Sequence, residues 1–480
     1  MKFKNISSVN RRGFSLSLLS STLLGARSSK FYKDLDVLVI GAGLSGLYAA
    51  EILSKEGLKV AVIEGNNRLG GRIQSLRHLQ GNPEAGGDSI LGGYGRVRNL
   101  VKDYNLSLID HAKRRGLSDK EIVYGGSIIE KSQWANHSLN FMPEDSKQEF
   151  PGRKYFEKIV LKNNPLESFE DWNDLSSKKY DTSVYEFLRK LGWSDNTIIQ
   201  NYETNIGRGN SSHDCSILSW YFRVGWDKLQ KNIEDVAFKI KGGNQTLIEA
   251  IASSFSGDIL LNKIVRGIRQ SNRQVEVICN DGTRFVSKKV VCSIPLKPLK
   301  WIRFDPILPS NQSAALHLLP SMKINKVFFE AKNNFWEEDG YSPSMWTDTD
   351  LGQISILRQN ENNTDITGLI ARVRGPLAAK LDTMGDSLAS IQVLKAFEKI
   401  RPAAKGNIEV VGYKSWSMDR FAGGTWTEWQ PGQIHKFQNY LAKPLNHVHF
   451  CGEHTALSNR GMEGAAESAE RCALEVLESI

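Results

Sequence analysis

The chain lacks most of the features that would assign it to a secreted scaffold, a metal centre or a membrane. Its 480 residues include five cysteines, Cys215, Cys279, Cys292, Cys451 and Cys472, all far apart and without CxxC or metal-type spacing. That argues against a disulfide framework and a metal site, and apolar neighbours such as Val291 predict buried thiols. No apolar run reaches the roughly 20 residues that a membrane-spanning helix requires, so no span is expected. The formal charge of +9 is modest and scattered. It forms no basic stripe with interleaved aromatics, which argues against a nucleic-acid partner. Internal repeats and low-complexity segments are missing too. At about 150 residues per domain the length suggests two or three domains, and it allows a homo-oligomer without requiring one.

What is present begins with DVLVIGAGLSGLYAAEILSKEGLKVAVIEGNNRLGGR, residues 36–72. An apolar run over 35–40 reads as a buried parallel strand that ends in Gly41, Ala42, Gly43, Leu44, Ser45 and Gly46. Gly41 permits the tight turn. Gly43 lets backbone approach a pyrophosphate, and Gly46 lets the next helix pack close to the strand with its N-terminus facing the phosphates. A helix over 44–55 and a strand over 59–63 then deliver Glu64, the acidic residue placed to accept from a ribose hydroxyl. A GxGxxG alone is weak, because glycine-rich turns occur without nucleotide. The ordered strand, helix, strand and acid raise it, as do Gly70, Gly71 and Arg72, whose guanidinium suits a phosphate.

Further along, PEAGGDSILGGYGRVRNL returns to a glycine pair, Gly86 and Gly87, followed by a helix over 96–104. Residues 106–226, rich in charge and aromatics, read as short helices. From 241 the pattern reverts to α/β, with three strands in IVRGIRQSNRQVEVICNDGTRFVSKKVVCSIP and a turn at Asn280, Asp281 and Gly282. Alternation in KINKVFFE and GLIARV predicts a mainly antiparallel sheet over 300–414, with a helix over 387–400. The end of the chain, HVHFCGEHTALSNRGMEGAAESAERCALEVLESI, reads as a buried strand, a glycine turn and a long helix.

Taken together, the first βαβ unit, RLGGR, EAGGD, VVCSIP, FAGGTWTEWQPGQI and HFCGEHTALSNRGMEGAAESAERCA resemble the flavin-containing amine oxidases. That family includes monoamine, polyamine and L-amino-acid oxidases. The resemblance implies an α/β plus α+β fold. Its parts are a Rossmann-like FAD-binding domain from segments 34–105, 240–300 and 415–480, a helical insertion over 106–239, and a substrate domain of mixed or antiparallel sheet over 301–414. It also implies FAD as cofactor and dioxygen as oxidant. The reaction would be oxidative deamination of a primary amine by hydride transfer to flavin, with hydrogen peroxide, ammonia and an oxo product released.

Carried over by position, the resemblance makes Glu64 the ribose ligand and Arg72 a phosphate neighbour, with Val265 meeting adenine through its backbone. Gly452 and Glu453 would lie near the ribityl and phosphate portion. Met462 would aim the N-terminus of the last helix at the flavin pyrimidine, which favours reduced flavin. A strand-end salt bridge is the plainer reading of Glu453. Thr425 stands where monoamine oxidases carry the cysteine bonded to flavin, so the cofactor should be noncovalent. Of the two aromatics those enzymes place before the ring, Trp426 fills the first position and Gly461 the second, leaving a space and a carbonyl as in L-amino-acid oxidases. Core filling is the competing reading of Trp426.

Lys326 aligns with the lysine that holds a water against the flavin, and desolvation favours its neutral amine. Lys323 is its competitor. Relatives often place a carboxylate-binding arginine after the EAGG-like pair, where this chain has Asp88 and Ser89. Arg372 is the candidate for that task by bidentate pairing, with Arg374 and Arg96 as alternatives and surface salt bridges as the plain reading. L-amino acids lead as substrates, ahead of simple monoamines. A polyamine is disfavoured because no acidic cluster suits a polycation, and a non-catalytic flavin-binding subunit is the reading of another class. Over 1–30, NRRGF with Arg11 and Arg12 before a weakly apolar stretch resembles a twin-arginine export signal. That predicts a periplasmic or secreted enzyme, or a cytoplasmic one if the segment is only a basic tail.

Overall fold

The apolar runs and glycine turns become two sheets and a helical layer in a computed structural model that describes residues 31–110, 120–206, 208–358 and 366–480. The expected export signal lies outside the described residues. The larger sheet has eight strands. Its order is Ile259–Leu260, Val60–Ile63, Phe31–Ile40, Arg284–Cys292, Val275–Cys279, Val265–Gln270 and Arg303–Asp305, and Val448–Phe450 branches from the end of Arg284–Cys292. Five of these strands run parallel and finish in line: Ile63 pairs with Leu260 on one side and Ile40 on the other, Ile40 pairs with Cys292, and Cys292 pairs with Phe450. The chain therefore leaves the sheet at one edge in five places, at Gly41, Glu64, Leu261, Ser293 and Cys451. A crevice outside the carboxyl ends of parallel strands is where an open α/β sheet takes its ligand.

Two helices cover this sheet, Leu44–Lys55 and the C-terminal Gly461–Ser479. Their shared core contains Ala49, Ala50, Ala466, Ala469 and Ala473, small side chains that let the two backbones approach closely, with Leu47 and Leu53 filling the remainder. Each fully buried leucine contributes about 1.5–3 kcal/mol.

The second sheet has seven strands, in the order Ile408–Ser415, Ile324–Ala331, Ile366–Arg374, Gln353–Arg358, Met345–Thr347, Glu121–Tyr124 and Ser127–Ile129. It is antiparallel except where Met345–Thr347 pairs with Glu121–Tyr124. This corrects the reading of 106–239 as helical. Glu121–Tyr124 and Ser127–Ile129 join this sheet, while Leu108–Asp110 and Ala237–Ile240 form another with Ile90–Leu91. Gly125 and Gly126 turn the hairpin with φ of 63° and 82°, the positive values that a tight two-residue β-turn requires. The helix expected over 387–400 begins earlier, at Gly375, and is kinked at Gly385 (φ 73°, ψ 160°). The expected buried thiols are observed, with all five cysteines free and buried.

Candidate active site

The first glycine turn is built to leave room. Gly41 has φ of 106°, and a side chain on Gly46 would collide with the Gly41 carbonyl, so helix and strand meet there at backbone distance. At Gly43 an added Cβ would meet nothing within 4 Å. Gly43 is also the N-cap of Leu44–Lys55, which carries no side-chain cap and no acidic residue in its first turn. An uncapped helix N-terminus facing open space at the end of a parallel strand is the cradle an anionic pyrophosphate fits. Ser45 is buried in that first turn of helix.

Glu64 is buried, and its carboxylate accepts from Ala42 N at 2.8 Å and Asn66 N at 2.7 Å. Its own carbonyl accepts from Lys263 N at 2.7 Å, which brings the segment leading into Val265 alongside. The turn, the acid and the start of the Val265–Gln270 strand thus form one group, as FAD adenosine recognition requires. At the other end of the crevice the Arg72 guanidinium donates to the Thr425 carbonyl and pairs with Glu453 at 3.3 Å. Residues 72, 425 and 453 are 381 positions apart at the extremes and meet here. Gly452 (φ 125°) precedes Glu453 closely packed on His454, a buried imidazole pushed down to about 3 by burial and by the charges of Arg72 and Arg471. Gly86 packs against Trp416, whose indole N–H donates to Ala85 O at 2.8 Å, and Gly87 packs against Ile73.

Lys326 is buried, whereas Lys323 is half-buried. Its ammonium donates to the Glu84 carbonyl at 2.8 Å and lies 3.6 Å from the Asp88 carboxylate. Arg372 stands directly opposite Lys326 on the neighbouring strand, and its Nη2 is 3.3 Å from the same Asp88 oxygen. Arg372, the candidate for a substrate carboxylate, thus already faces an internal carboxylate. Arg96 is likewise engaged, by Glu470 at 2.6 Å and Glu463 at 3.5 Å.

Trp426 is half-buried, and its carbonyl accepts from Met322 N at 3.0 Å, while Trp429 is buried against Trp172, with ring centroids 5.9 Å apart. Trp429 is therefore core, while Trp426 keeps part of its surface open. Gly461 has φ of 59°, and an added Cβ would lie 3.4 Å from the Tyr94 hydroxyl. The space expected there is thus bordered by a phenol from a distant turn. Met462 follows, buried, at the start of a helix whose N-terminus carries no side-chain cap.

Sequence reasoning missed Tyr94 and the arginines around it. Arg208 pairs with the fully buried Glu428 at 3.1 Å and donates to Ser219 O at 3.2 Å. Arg223 pairs with Asp227 at 2.6 Å, and the buried Arg460 lies over the Phe222 ring at 5.8 Å. Ser219, Phe222, Arg223 and Trp226 share one face of the helix Ile217–Ile233, which Ser216 caps by accepting from Leu218 N. Trp226 also meets Tyr94, at 5.8 Å between ring centroids. The i, i+3, i+4, i+7 spacing of that face was the available signal.

A two-sheet flavoprotein with a nucleotide crevice beside a cationic, aromatic wall is the class that fold and site define. The chain belongs to the flavin containing amine oxidoreductase family, whose model matches residues 44–477. It is 26% identical over 473 residues to human amine oxidase [flavin-containing] B, covering 93% of this chain and 86% of that protein. An L-amino-acid oxidase of Sistrurus catenatus edwardsii is 24% identical over 92% of this chain and 86% of its own length. The fold is similar to that of cyclohexylamine oxidase from Brevibacterium oxydans IH-35A, with a TM-score of 0.73, 21% identity and coverage of 93% and 99% of the two chains. A putrescine oxidase solved with putrescine is also similar, with a TM-score of 0.73, 20% identity and coverage of 93% and 100%. The family's cofactor is FAD. With Thr425 at the position of the linking cysteine, it is held noncovalently.

Proposed function

We propose that this flavin amine oxidoreductase is an oxidase of L-amino acids. The observation that carries the reading is the wall beside Gly461, where the charges of Arg208 and Arg223 both act on Arg460, while Glu428 pairs with the first of them and Asp227 with the second. A surplus cation beside the substrate space suits an anionic substrate better than a bare amine. When bound, FAD takes two electrons and a hydrogen from the carbon bearing nitrogen and passes the electrons to dioxygen. The protein's task is to orient that carbon, exclude water and keep the amine uncharged.

Gly461 supports this with a space that a second ring would otherwise fill, and the half-buried Trp426 is the aromatic suited to border it. Lys326, fixed by the Glu84 carbonyl, is the residue suited to hold a water or a proton near the reacting carbon. A panel of L-amino acids and their decarboxylated amines, assayed for peroxide, tests the reading. The expected outcome is turnover of at least one amino acid well above that of its amine. Activity confined to amines without a carboxylate moves the reading to a monoamine oxidase, and a yellow protein that makes no peroxide from either set marks a non-catalytic subunit.

A further inference from the structure

Among the described residues the other buried guanidinium groups have a partner. Arg208 has Glu428, Arg372 has Asp88, and the fully buried Arg401 pairs with Asp339 at 2.6 Å. Arg460 differs. It is 7% exposed, its Nε is buried without a hydrogen-bond partner, and among the described residues no hydrogen bond or ion pair joins its guanidinium to the protein. Its guanidinium lies over the face of Phe222. A guanidinium carries five donors, and leaving the buried Nε–H unmet in the interior is costly. Burial and the repulsion of Arg208 and Arg223 push its pKa down to about 9, against the attraction of Glu428 and Glu453, so it remains a cation at neutral pH.

The carboxylates around it are engaged by other arginines. Glu428 pairs with Arg208, Asp227 with Arg223 and Glu453 with Arg72, and Glu428 keeps one buried oxygen, Oε1, without a partner. Tyr94 contributes a buried hydroxyl that meets the fields of Arg460 and Arg223 and approaches Gly461. The phosphate end of the crevice is served by other groups, the Gly43 turn and the Arg72–Glu453 pair. Arg460 instead lies over Phe222, on the side of the helix Ile217–Ile233, within the fields of Arg208 and Glu428.

We propose that Arg460, backed by Arg208, is the anion subsite of the active-site cavity and receives the substrate's carboxylate. The identity of the occupant rests on the amino-acid reading above. The charge-assisted bonds it would supply are strong and directional, and a planar carboxylate matches the fork of the guanidinium.

Benzoate, a carboxylate without an amine, is the probe, titrated into FAD-loaded enzyme by calorimetry with benzylamine as the uncharged-end control. Arg460→Met is expected to weaken benzoate binding about 10- to 100-fold, to leave benzylamine binding and FAD content unchanged, and to be partly restored in Arg460→Lys. Equal benzoate affinity in wild type and Arg460→Met overturns the assignment, as does loss of FAD with unchanged benzoate binding in the loaded fraction. Should the Met variant fail to fold, benzoate protection of wild-type Arg460 from phenylglyoxal, read by mass spectrometry, decides the matter, and absence of protection overturns it. Benzoate binding that depends on Arg460, with no peroxide from any amino acid, upholds the subsite and removes the substrate reading.

Discussion

The sheet side of the active site and its helix side treat buried positive charge differently. On the sheet side Lys326 and Arg372 face each other across a strand pair and share Asp88, while Arg72 has Glu453. On the helix side Arg208 and Arg223 are matched and Arg460 is not. Matched cations hold structure in place whether or not a ligand is bound. An unmatched one in the interior is stabilised only when something negative arrives, so the contrast separates scaffold from binding wall.

The contrast can be broken at three points outside the Arg460 subsite. The largest effect is expected from Gly46→Val, whose branched side chain would drive into the Gly41 carbonyl. The purified variant should be colourless for want of FAD, and a normal visible flavin spectrum would show that the close approach is dispensable. A smaller loss is expected from Asp88→Asn, which leaves two buried cations without their carboxylate. That should cost about 3 kcal/mol, read as a lower apparent melting temperature of the FAD-loaded protein. An unchanged melting temperature would mean that Asp88 does not hold Lys326 and Arg372 in place.

The effect that is smallest near neutral pH is a slope below it. His454 is neutral in the fold down to about pH 3, against an ordinary value of 6.5, so between those values the unfolded chain binds the extra proton. Stability from this group is complete above 6.5 and falls with pH below it, by up to about 1.4 kcal/mol per pH unit. His454→Gln should flatten the acid side of a stability-versus-pH curve, and an identical curve would place the titration elsewhere.

The crevice was legible because its parts are contiguous. Residues 36–72 contain the strand, the turn, the helix and Glu64 in one run, and each has a backbone reason to be there. The wall was not. Arg208, Tyr94 and Arg460 come from three distant segments with ordinary local sequence, and only packing on the helix Ile217–Ile233 brings them together. Arg460 stood inside a motif that was read for Gly461 and Met462 alone. Arg372 was legible as a residue on the correct strand, but its partnership with Asp88 depends on a contact across 284 positions. The hairpin at Gly125 and Gly126 was not legible because its strands, Glu121–Tyr124 and Ser127–Ile129, are only four and three residues long and pair within a charged, aromatic stretch.

The in-line ending of five strands has a consequence for folding. One rim of the cofactor seat is made when Phe450 pairs beside Cys292, and Arg72 meets Glu453 across 381 positions. The entropy of closing so long a loop opposes such contacts until the strands between them have paired, so the seat is completed late in folding and capture of FAD follows its completion.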